Sequence, residues 1–246
     1  MCTDGSYLYK RARSIDKSGR CSSRRTRRRD FIELTGIYSL ILLVIWTPRP
    51  WQWALWIVAG ICTIAVIALS FDGWRTMGIC TENLVRSLWA VVLAGAVALL
   101  SVTVAARLHT LTLPSSPLVF IRHYGGYAVW AGLQQLILQC FFLSRSLRLI
   151  PNATAAATLS AMLFAVAHLP NPVLTVITLV CGLAACLFFL HYRNLWPLVI
   201  AHAILGIAIA ITIPGHVDHN MRVGMSYWTW VDRPIISEES IPFVKP

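Results

Sequence analysis

Apolar and polar positions alternate in long blocks along the chain. Seven hydrophobic segments are read at about 34–47, 53–70, 88–106, 125–143, 155–169, 173–191 and 195–213. Several approach the roughly 18–20 residues that a helix needs to cross a bilayer. The first is short and stops at "TPRP", where two prolines end a helix. The loop "FDGWRTMGICTENLVRS" is polar enough to leave the membrane, and "LTLPSSPLVF" is a Pro/Ser turn that joins two halves of the protein. The pattern predicts an all-α, polytopic helical membrane protein with about seven to eight transmembrane helices. The eighth would be a re-entrant piece near "HLPNP". No internal repeat of 20–50 residues interrupts this reading.

Composition strengthens it. The 246-residue chain is 57% hydrophobic and only 13% charged, with a mean hydropathy of +0.66. A soluble domain of this size would carry about 25% charged residues. The tryptophans fall mostly near segment ends, where interfacial belts account for them. Seven cysteines show no close pairing and read as small apolar side chains, neither a disulfide framework nor a zinc motif.

Charge adds an orientation. The net charge is +11, and residues 1–30 hold ten Lys/Arg against Asp4, Asp16 and Asp30. Such a run can meet anionic lipid or nucleic acid; in a membrane protein it reads as a positive-inside signal, with no nucleic-acid partner. The expected organisation is a basic, disordered cytoplasmic tail over 1–30, a transmembrane domain over 31–213 and a C-terminal tail over 214–246. No cleavable signal peptide is expected, because the first apolar run follows thirty polar residues. Short loops and no organelle signal point to a prokaryotic inner membrane with the N-terminus cytoplasmic.

The candidate chemistry lies in polar groups at membrane depth. No carboxylate occurs between Glu82 and Asp218. Within that stretch Gln134, Gln135 and Gln139 share one segment, His168 ends another, and His202 sits in a third. Amides and imidazoles in hydrocarbon cost free energy unless they find partners, so the three segments are expected to pack together. Pro170 and Pro172 break the helix just after His168, and broken backbone at depth is tolerated where it lines a cavity. His168 and His202 could hold a divalent metal such as zinc, although two ligands make a weak site. A buried hydrogen-bond network explains them equally well. Counting rise per residue places Gln135 near mid-bilayer and the two histidines towards opposite sides, about 10 Å apart in depth. The break at "HLPNP" is expected to correct that mismatch.

The stretch from about 125 to 210 resembles the CPBP family of intramembrane proteases, which includes CAAX prenyl endopeptidases and bacteriocin-processing proteins. The family pattern of Phe-x-x-x-His is present as Phe164–His168, and the third pattern, His-x-x-x-Asn or a similar residue, falls on His202–Gly206, with Gly206 where the family usually has Asn. Gln134, Gln135 and Gln139 stand where the family has Glu-Glu-x-x-x-Arg. The resemblance implies an endopeptidase acting on a membrane-associated or lipidated peptide, in contact with membrane lipid. Gln134, Gln135, His168 and His202 take the catalytic positions, with Gln139, Phe164 and Gly206 supporting. It also implies a glutamate that activates water, with a metal as a proposed cofactor. Glutamine has no titratable proton near neutral pH and cannot be that base. Two functions therefore stand side by side: an endopeptidase that works through its histidines, and a silenced relative that binds a membrane partner. A small transporter ranks last, since no intramembrane charge relay or inverted repeat is present.

Overall fold

In the computed structural model, residues 20–230 are described, apart from 70 and 72. They form helices joined by short connections. These are α1 (Arg20–Trp46), α2 (Gln52–Leu69), α3 (Leu84–Ser87), α4 (Trp89–Arg107), α5 (Pro117–Leu136), α6 (Ser144–Leu149), α7 (Ala153–Val166), α8 (Pro172–Tyr192) and α9 (Trp196–Thr212). Two short helices follow, α10 (Gly215–Asp218) and α11 (Met225–Trp228). A π-helical stretch, Ile137–Leu143, joins α5 to α6 without a break, so that Pro117–Leu149 runs as one 33-residue rod.

Every apolar segment read from the sequence is a helix, and the protein is an all-α integral membrane protein. Four candidate spans are long and apolar enough to cross a bilayer: Gln52–Leu69, Leu84–Arg107, Pro117–Leu149 and Pro172–Tyr192. Ala153–Val166 and Trp196–Thr212 are shorter apolar helices. The outer helices leave large side chains uncovered, such as Ile61, Val92 and Leu99, each more than 60% exposed. Lipid tails cover such surface at no cost, which water would not.

Local sequence chemistry sets the helix starts. Ser116, Asn152 and Asn171 accept hydrogen bonds from the backbone N–H three residues on, and Pro117 and Pro172 occupy first-turn positions. The helix α7 ends at Val166, two residues before His168, and the chain turns through 167–170 into α8. The core lies where α7, α8 and the π stretch meet, with Leu138, Phe141, Leu143, Ala157 and Cys186 fully buried.

Two expected boundaries move. The tail expected over 1–30 is helical from Arg20, and residues 1–19 lie outside the described residues. Asp30 is 4% exposed because it is paired: Arg148 Nε lies 2.9 Å from one of its oxygens and Arg145 Nε 3.5 Å from the other. Arg145 also bonds Glu33 at 2.7 Å, Glu33 binds Arg29 at 2.6 Å, and Arg27 donates to the Leu149 carbonyl at 2.8 Å. Two guanidinium partners offset much of the solvation that a carboxylate loses on burial. The second boundary is the C-terminal tail expected over 214–246. Its part over 214–230 is folded against the membrane domain, and residues 231–246 lie outside the described residues. Asn171 Nδ2 donates to the carbonyls of Asp218 at 2.6 Å and Arg222 at 3.1 Å, and Gly224 N donates to Leu169 O at 2.8 Å. Gly224 has φ 56° and presses on the Ile45 backbone at the end of α1, where any Cβ would overlap. The strap thus ties the "HLPNP" turn to the first helix.

Candidate functional site

Gln135 and Gln139 lie one turn apart at the join between α5 and the π stretch, 4% and 1% exposed. Gln139 Nε2 donates to Gln135 Oε1 at 3.2 Å. That contact turns the Gln135 NH2 towards α9, where it lies 2.9 Å from His202 Nδ1. An amide N–H only donates, so Nδ1 accepts and the His202 proton resides on Nε2. His202 presents an N–H to the site.

His168 is held in the opposite sense. Its Nδ1 lies 2.7 Å from the Phe164 carbonyl, one turn back along α7. A carbonyl only accepts, so Nδ1 is protonated and Nε2 carries the free lone pair. The Phe164 ring contacts both imidazoles, with centroids 4.8 Å from His168 and 6.1 Å from His202. The arrangement is therefore a donor imidazole and an acceptor imidazole packed on one aromatic ring.

Gln134 is half-buried and takes no part in these hydrogen bonds among the described residues. Gln139 Oε1 is buried with no partner, and its neighbour is Cys186 on α8. The depth mismatch is absent, since Gln135 and His202 are in hydrogen-bond contact. Two causes act together. α5 begins at Pro117, eight residues ahead of the expected start, and α7 is only 14 residues long, which brings the turn bearing His168 inward.

The donor set does not fit a zinc centre. A catalytic zinc takes three protein ligands, and no group of three His, Cys, Asp or Glu capable of holding a metal occurs among the described residues. His202 also spends its lone pair on Gln135 and offers only an N–H. His168 alone is left with a free ligand atom.

Sequence reading passed over one residue of this site. Tyr127 on α5 lies against Gly206 on α9, so closely that a Cβ at 206 would overlap its hydroxyl and ring. A tyrosine in an apolar run resembles ordinary packing; the signal was the glycine one turn beyond His202.

With this geometry in place, comparison with known proteins gives one match. Residues 127–208 match the family model of the type II CAAX prenyl endopeptidases, Rce1-like. Over these residues the chain is similar to that membrane-protease family. Neither the comparison with curated proteins nor that with solved structures finds a match. The matched third of the chain runs from Tyr127 to two residues past Gly206, and so takes in each candidate site residue discussed here. Phe164, His168 and His202 all lie within the matched residues, as do Gln134, Gln135 and Gln139.

Proposed function

We propose that the protein is an intramembrane endopeptidase that cleaves a membrane-associated peptide with two neutral histidines in place of a glutamate. The observation that carries this reading is the opposite hydrogen-bond polarity of His168 and His202. The lone pair on His168 Nε2 can take a proton from a water as its oxygen attacks a peptide carbonyl, and the imidazolium returns that proton to the amine nitrogen as the C–N bond breaks. The His202 Nε2–H can donate to the carbonyl oxygen as it gains charge. Gln135 holds the second imidazole in its donor form, and Gln139 holds Gln135. No charge is buried in the resting site, so it avoids the standing penalty of an ionised group at depth. The enzyme resides in the inner membrane of a prokaryote, with the basic N-terminus on the cytoplasmic side. Its substrate carries a lipid or another membrane anchor.

A second reading, a relative that binds a lipidated peptide without cutting it, is favoured by Gln134, Gln135 and Gln139 standing where the resemblance places Glu-Glu-x-x-x-Arg. One experiment separates the two. The purified protein in liposomes is incubated with a farnesylated and a non-lipidated peptide pool, and products are read by mass spectrometry. Cleavage that disappears in His168→Ala and His202→Ala, and that survives a chelator, supports the first reading. No cleavage of either pool, with the triple variant Gln134→Glu, Gln135→Glu, Gln139→Arg gaining it, selects the second.

A further inference from the structure

Gly206 lies four residues after His202 on α9, so the two positions share one helix face. The volume that a side chain at 206 would fill is occupied by the end of Tyr127, whose ring atom Cε1 lies 2.6 Å from the position of a Cβ. Tyr127 comes from α5, eight residues before Gln135, and 127, 131 and 135 follow one another at four-residue spacing. Ala131 is fully buried and Gln135 nearly so, which places this stripe of α5 towards the interior. The hydroxyl of Tyr127 makes no hydrogen bond to another described residue. It is also not among the fully enclosed polar atoms that lack a partner. A phenol O–H in a membrane interior, partly accessible and unpaired, gains free energy from any acceptor that reaches it.

The groups beside it narrow what that acceptor is. His202, one turn away, also offers an N–H and no lone pair. Two donors on adjacent turns suit an atom with two lone pairs and no proton. A peptide carbonyl oxygen has that chemistry; an ammonium or an amide N–H does not.

We propose that Tyr127 is a substrate-positioning residue whose hydroxyl donates to a carbonyl oxygen of the bound peptide, and that Gly206 exists to admit it. The inference rests on the peptide-cleaving or peptide-binding reading above. It adds a residue from outside the three sequence motifs, held in place by the absence of a side chain within one of them.

The test uses the full-length protein in liposomes and a farnesylated Cys-Val-Val-Ala tetrapeptide, with an analogue whose Cys–Val amide is reduced to CH2–NH and so lacks the oxygen. Wild type is expected to bind the amide more tightly than the reduced analogue. Tyr127→Phe should lose that preference and, where turnover is measurable, lower kcat/KM by about ten- to a hundredfold with an unchanged melting temperature. Gly206→Asn should disrupt the site through its clash with Tyr127. Tyr127→Ala combined with Gly206→Asn should restore part of the preference, because an amide donor then fills the vacated volume. A Tyr127→Phe protein that discriminates the two peptides as wild type does overturns the proposal. If wild type binds with the expected preference but does not cleave, the endopeptidase reading fails while the role of Tyr127 stands. If wild type shows no preference for the amide, the role of Tyr127 fails, whatever the turnover.

Discussion

The rod Pro117–Leu149 carries polar side chains at two places that solve the same problem in opposite ways. At its end, Arg145 and Arg148 are charged and meet Asp30 and Glu33 of α1 in a compact ion network. In its middle, Gln135 and Gln139 are neutral and meet a neutral imidazole. The side chains of Arg145 and Asp30 are only 3% and 6% exposed, nearly as sealed as the glutamines. The difference is position along the rod, with the arginines in its last two turns and the glutamines near its middle. Near the headgroups, paired charges retain help from water and lipid phosphates, whereas at mid-bilayer even a paired charge gives up most of its solvation. The chain places charge where it locks α1 to the rod and neutral groups where the rod meets α9.

The largest effect expected from attacking this comparison is at the charged end. Arg145→Met leaves Glu33 with Arg29 alone and one Asp30 oxygen without a partner, and breaking a buried pair in this way costs about 3–5 kcal/mol. Chemical denaturation in detergent should show it, and adding Asp30→Asn and Glu33→Gln should recover much of the loss. A single variant as stable as wild type would mean that the network contributes nothing. At the neutral site, His202→Ala or His168→Ala should lower cleavage by roughly a hundredfold or more while the melting temperature moves by only a few degrees. If unfolding and activity fall together, the histidines are packing residues.

Smaller effects sharpen the contrast. Gln139→Leu removes one hydrogen bond and one buried unpaired oxygen, so stability should change by no more than about 1 kcal/mol. Its larger consequence is electronic. With the Gln135 amide free to turn over, the 15N spectrum of His202 should shift from a single Nε2–H tautomer to a mixture. An unaltered spectrum would show that Gln139 does not orient the pair. Last comes the strap over "HLPNP". Burial pushes the Asp218 carboxyl up to about 6, although backbone N–H donors oppose it. Its protonated form favours folding, so that contribution is complete below the ordinary aspartate value near 3.8 and is lost as pH rises through about 6. The melting temperature should therefore fall by a few degrees between pH 4.5 and 7.5, and Asp218→Asn should flatten the slope.

Much of this was legible in the chain because hydrocarbon is an unforgiving solvent. The apolar blocks had to be helices, and so few polar side chains lay at depth that Gln135 and His202 had little choice of partner. What escaped notice has physical reasons. Asp30 belongs by composition to a basic tail, and only the guanidinium groups of Arg145 and Arg148, more than a hundred residues away, bring it indoors. The start of α5 was placed eight residues late because Arg122 and His123 interrupt its apolar character, yet Ser116 and Pro117 form a good cap and first turn. Residues 214–230 are held in part by one buried amide, Asn171, whose two bonds no periodicity announces. Tyr127 was hidden in the same way, as an aromatic among aromatics.

The π-helical stretch Ile137–Leu143 sets the phase between the two halves of the rod. A π turn carries an additional residue, and in an α-helix one residue corresponds to about 100° of rotation. Deleting any one residue of this stretch would let the backbone relax to α geometry and swing everything downstream by about that angle. Arg145 could then face Glu33, or Gln135 could face His202, but not both at once. Segment length here is as much a part of the site as the side chains, and substitutions within the stretch should be tolerated far better than a single insertion or deletion.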